Sequence, residues 1–183
     1  MIAVLLSAFL QSCPAYAELP APAEGLGYAY ARPGQADTAL GLGERIRRLS
    51  PRGVESVQYV IPPGGDPVEG RRIRSAIGGL FILEARPVAG GPSSQQRMDS
   101  RDLERVAAMR PGEEIQVSQE FSGGAQAVTV TFEGCETFSG ETVSVYRTSS
   151  PQEQRTVFIS HETGWWVHAA GAGGELSRTS RNF

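Results

Sequence analysis

Both histidines of the chain fall in one short window, His161-Glu162-Thr163-Gly164-Trp165-Trp166-Val167-His168. It does not have the form of a zinc-protease helix, which needs two histidines one helical turn apart with a glutamate beside the first. Gly164 and the tryptophan pair occupy the spacing instead, and the flanking residues are strand formers. The window therefore predicts a hairpin with Thr163-Gly164 at its turn. A bent metal site from His161, His168 and Glu162 is the enzymatic alternative, and a cysteine nucleophile at Cys135 activated by either histidine is another. No local signature accompanies Cys135, so it reads as a structural thiol, and neither a catalytic nor a metal-binding residue is assigned. Successive strand side chains alternate between faces. Trp165 shares parity with Val167 and Ala169 and is expected in the core. Trp166 shares parity with His168 and is expected on the outer face, so that Trp166, His168 and His161 form the candidate binding surface.

Two arginine-rich stretches offer a different chemistry. Gly65 to Gly70 followed by Arg71-Arg72 matches a phosphate loop only in its glycine spacing, because arginine stands where that loop needs Lys and Ser/Thr. The stretch reads as a surface loop. Arg71, Arg72 and Arg74 could form a cationic patch for an anionic surface, with Glu69 nearby to offset it. No G-x-S-x-G elbow marks a nucleophilic serine.

The elements that must position these residues follow from hydrophobic periodicity. Residues 25–32, 54–61 and 79–85 read as strands, and the continuous apolar run Leu80 to Leu83 in the last suggests burial on both faces. Helices are predicted at 37–49, capped by Asp37, and at 101–109, capped by Ser100. From Glu113 to Ala170 short β-rich runs alternate in period two and are separated by glycine turns, the pattern of an antiparallel meander. Its expected core comprises Ile115, Val117, Val128, Val130, Phe132, Val143, Val145, Val157 and Ile159. The predicted fold is mainly β, a β-rich α+β domain over 25–170 with one or two short helices in its N-terminal half. A Pro/Ala linker over 18–24 precedes it, and a flexible tail over 171–183 follows.

Residues 1–17 have no charged side chain, carry an apolar run from Ile2 to Leu10 and end in Ala15-Tyr16-Ala17, as a secretory signal peptide does. Cleavage after Ala17 would remove Cys13 and leave Cys135 without a disulfide partner. The alternative uses Leu10-Gln11-Ser12-Cys13 as a lipobox, with a lipid anchor at Cys13. The apolar run is too short for a transmembrane span. All 17 basic residues are arginine and the net charge is −3, which gives no strong field for nucleic acid.

The second half, from Met109-Arg110-Pro111-Gly112-Glu113 through Thr131-Phe132-Glu133-Gly134-Cys135-Glu136 to His161-Glu162-Thr163-Gly164-Trp165, resembles the uncharacterised β-rich periplasmic proteins and lipoproteins of bacterial envelopes. That resemblance implies an exported, periplasmic or secreted, non-catalytic protein without a cofactor, with a structural role or an envelope protein or glycan as partner. A small periplasmic hydrolase or metal-dependent enzyme using His161 and His168 is the rival reading.

Overall fold

A computed structural model describes residues 13–34, 41–121 and 123–181. The chain is mostly β, with strands β1 (Gly27–Ala31), β2 (Gly41–Ser50), β3 (Gly53–Ile61), β4 (Val68–Ala76), β5 (Phe81–Pro87), β6 (Ser94–Gln95) and β7 (Arg97–Met98). After helix α1 (Ser100–Ala107) come β8 (Glu114–Phe121), β9 (Gly124–Phe138), β10 (Glu141–Ser149), β11 (Gln154–Ser160), β12 (Trp166–Gly171) and β13 (Gly174–Arg181). All pair antiparallel in one sheet of order β6-β5-β4-β3-β2-β1-β13-β12-β11-β10-β9-β8-β7. The first and last long strands are thus neighbours in the middle of the sheet. Its two ends, β6 and β7, are separated only by Gln96, whose N–H donates to Leu83 O (2.8 Å) and whose side chain accepts from Gln119 Nε2. The sheet rolls over on itself, and one core cluster takes side chains from both halves, including Tyr28, Ile46, Phe81, Val130, Phe132, Ile159 and Trp165.

The meander over 113–170 is present as five consecutive strands. Eight of its nine expected core residues are buried, and Ile115 is half-buried. Val143 and Val145 lie in a separate small cluster with Val167, Phe138 and Phe158. Both faces of β10 are therefore covered, since Ser144 and Tyr146 between and beyond them are buried too.

Several expectations are corrected. The segment expected as a helix over 37–49 forms β2 from Gly41, while Asp37 and Leu40 lie outside the described residues. Its alternation sends Glu44 and Ile46 inward, and two flanking strands satisfy its backbone, so sheet pairing overrides helix propensity. The glycine-arginine loop is the β3–β4 hairpin. The expected flexible tail is β13, paired on both sides. The cap of α1 is Asp99, whose carboxylate accepts from Arg101 N (2.8 Å). Residues 18–24 are no free linker: Pro22 is buried, Glu24 accepts from Leu49 N (2.8 Å), and Glu18 forms a two-pronged ion pair with Arg110 (2.8 and 3.0 Å).

That strap begins earlier than expected. Cys13 is disulfide-bonded to Cys135, so Cys135 has a partner after all. Ala15 is buried, and Tyr16 and Leu19 pack on the core. Gly164, at φ +60°, receives the strap: a Cβ there would collide with the Pro20 carbonyl.

Candidate functional site

Register brings three chemistry-bearing residues together on one face. Ser144 of β10 lies opposite Cys135 of β9 and Ile159 of β11, and the chain leaves β11 with His161 N donating to Thr142 O (3.0 Å). His161 Nε2 is consequently 2.9 Å from Ser144 Oγ and 3.3 Å from Cys135 Sγ. The imidazole is held below its ordinary pKa by burial. Ser144 is fully buried, so its hydroxyl, although paired with a base, is closed to substrate in this conformation.

His168 is elsewhere. It is 7% exposed, with Nδ1 2.8 Å from Ser177 Oγ and its ring against Phe138 and Phe158. Burial lowers its pKa, outweighing the upward pull of Glu175 and Glu136. His161 and His168 do not converge, and among the described residues no three His, Cys, Asp or Glu side chains are grouped to hold a metal.

The expectation of an exposed Trp166 is overturned. Trp165 is fully buried as expected, but Trp166 is only 5% exposed. A bulge explains it: Phe158 pairs with His168 and Ile159 with Trp166, so Val167 is an extra residue and the parity linking Trp166 to His168 breaks. Trp166 turns inward with Ile159. Its ring stacks on Tyr30 (centroids 3.7 Å apart, 6° between planes), and Tyr30 Oη donates to Trp166 O (3.3 Å). Gly79, at φ +96°, lets the β4–β5 turn approach the indole, with an added Cβ falling 2.5 Å from Trp166 Cδ1.

Trp166 Nε1 donates to Glu44 Oε2 (3.0 Å), and Ser56 Oγ donates to Oε1 (2.6 Å). Sequence reasoning missed this glutamate, because it sat in a stretch read as an amphipathic helix. Glu44 is 2% exposed. Burial raises its pKa, opposed by the hydrogen bonds from Ser56 and Trp166 and more weakly by Arg155.

The Trp166–Tyr30 pair forms part of the wall of a cleft of 710 Å³ in the roll of the sheet. Leu42, Val60, Ile82 and Leu176 continue the apolar wall, and Arg32, Arg71 and Arg155 enter it against one acid, Glu153. Arg155 is half-buried and donates to Leu80 O (3.2 Å). Desolvation lowers its pKa more than Glu153 and Glu44 raise it. Ile82, Glu153 and Arg155 also border a neighbouring cleft of 270 Å³ with Phe81, Phe121 and Gln119.

The expected arginine patch is split. Arg71 faces the inner cleft, whereas Arg72 and Arg74 line a groove of 480 Å³ with Arg47, Arg86, Glu55, Glu69 and Glu84. There Arg74 pairs with Glu84 (3.3 Å), Arg86 also pairs with Glu84, and Arg47 pairs with Glu69 (3.5 Å). Charge on that face is largely neutralised locally.

Comparison with family models, with curated proteins and with solved structures returned no match.

Proposed function

We propose that this chain is an exported, non-catalytic binding protein whose inner cleft holds an amphiphile with an anionic head. The observation that carries the reading is the half-buried Arg155 on the shared border of two clefts, facing an apolar and aromatic wall. Among the described residues this half-buried guanidinium donates to one carbonyl, Leu80 O, while it lines both clefts. A carboxylate or phosphate supplies it with a bidentate partner, while an alkyl chain lies against Leu42, Val60, Ile82 and the Tyr30–Trp166 stack. Few placed polar groups in an apolar concavity are what ligand sites consist of.

Export is supported by the apolar leader and by the Cys13–Cys135 disulfide, a bond that persists in oxidising compartments. The same bond bears on anchoring. A thioether lipid on Cys13 and a disulfide at the same sulfur exclude one another, so the reading favours an unanchored periplasmic or secreted protein.

Titration with hexadecanoate, followed by quenching of tryptophan fluorescence, tests the proposal. Saturable binding is expected, weakened by Arg155→Met roughly ten- to a hundredfold, the loss of one charge-assisted hydrogen-bonded pair. Hexadecanol should bind much more weakly than the carboxylate. Equal affinity for both, or no saturable binding of either, would overturn the reading.

A further inference from the structure

We propose that the Cys13–Cys135 disulfide is a reducible latch, opened by a dithiol that attacks Cys13 while His161 receives the departing Cys135 sulfur. The geometry is asymmetric. His161 Nε2 lies 3.3 Å from Cys135 Sγ, and Ser144 Oγ lies 3.8 Å from the same sulfur. A disulfide is cleaved fastest when the leaving sulfur is best stabilised as thiolate, and a neighbouring imidazolium does that. Both cysteines are half-buried at the margin of the core, and the exchange requires an incoming thiolate to reach Cys13. The cluster is separate from the inner cleft, and the inference is independent of what that cleft binds.

One thiolate of the dithiol attacks Cys13 Sγ and forms a mixed disulfide, the Cys13–Cys135 bond breaks, and its electron pair remains on Cys135 Sγ. The second thiolate of the dithiol then attacks its own sulfur in the mixed disulfide. Cys13 is released as a thiol, and the co-reactant leaves as a disulfide, two electrons poorer. With the bond intact, burial lowers the His161 pKa, whereas Glu136 acts on His168. A thiolate forming beside the ring favours its protonated form, so reduction takes up a proton at Nε2.

The latch fastens the strap. Residues 13–24 are held besides by buried Ala15 and Pro22, by Tyr16 and Leu19 against the core, by the Glu18–Arg110 pair, by the Glu24 contact to Leu49 and by the seat beside Gly164. Opening the bond frees the end of that strap while leaving the sheet intact.

The test treats the full chain with dithiothreitol across pH, traps thiols with iodoacetamide, maps them by mass spectrometry and follows hydrogen exchange over 15–24. Expected are reduction without denaturant, alkylation of Cys135 with an apparent pKa below both Cys13 and the ordinary thiol value of about 8.5, and loss of protection confined to the strap. His161→Gln should slow Cys135 alkylation at pH 7 about tenfold and return its profile to the ordinary range, while Ser144→Ala should leave the profile low. Reduction only in denaturant, a strap equally protected after reduction, or an unchanged profile in His161→Gln would overturn the proposal. Should that variant misfold, Cys13 in the reduced wild-type protein is the internal reference, and a Cys135 that titrates no lower than Cys13 refutes it.

Discussion

Glu44 is the residue on which the inner wall depends, because one carboxylate receives both the Trp166 indole N–H and the Ser56 hydroxyl. Its folded pKa is raised above the ordinary 4.5, with burial the dominant cause. A carboxyl so shifted contributes stability that is complete below the unfolded pKa and lost as pH rises through the folded one. Denaturant titrations at successive pH values should therefore show the wild type losing ground to Glu44→Gln as pH climbs from about 4.5. A difference that stays flat with pH would refute the shift. Trp165→Ala and Trp166→Ala should each cost about 3–5 kcal/mol in the same measurement. The sequence pointed to the first of these, although the parity behind that expectation does not hold, since Trp165 precedes β12 and Val167 lies in the second cluster. It hid the second, because the bulge at Val167 depends on the pairing with β11 and no property of Trp166 or His168 announces it.

At the scale of elements, the meander was legible because β8 to β11 each carry enough apolar residues in period two to identify their buried face. The strands that were missed are polar. In β13, Gly-Glu-Leu-Ser-Arg-Thr-Ser-Arg contains a single large apolar residue, and the segment is strand because β1 and β12 both present open backbone groups to it. Arginines likewise disguised β2, where outward Arg45 and Arg47 alternate with inward Glu44 and Ile46. The packing of the N-terminal strap was illegible for a related reason: a small-residue cleavage pattern and a proline-rich run say nothing of a cysteine 122 positions away. A mature chain beginning at Glu18 would forfeit that bond, so intact mass measurement of exported protein should find Cys13 retained and two hydrogens missing from the reduced mass. Cys13→Ser should lower stability by about 2–5 kcal/mol in denaturant unfolding.

For the whole molecule, the organising contact is between its beginning and its end: Tyr28 pairs with Arg181, and Ala31 with Ser177. Such pairings must close most of the chain before they are rewarded, which places folding in the millisecond-to-second regime of non-local β topologies. Truncation after Gly171 would open the edges of β1 and β12 and remove Arg178, whose guanidinium pairs with Glu141 while Ser160 donates to the same carboxylate (2.6 Å). The truncated chain should lack a cooperative thermal transition by circular dichroism. The strand order also closes in another sense. Since β1 and β13 are adjacent at one seam and β6 and β7 are consecutive at the other, the polypeptide visits the sheet as a ring with only one nick. The exposed Val88–Ser93 stretch between β5 and β6 is thus a place where the ring can be cut, once a flexible linker has joined Arg181 back to Cys13. A circular permutant opened there would keep every strand neighbour while reversing which half of the sheet emerges first from the ribosome.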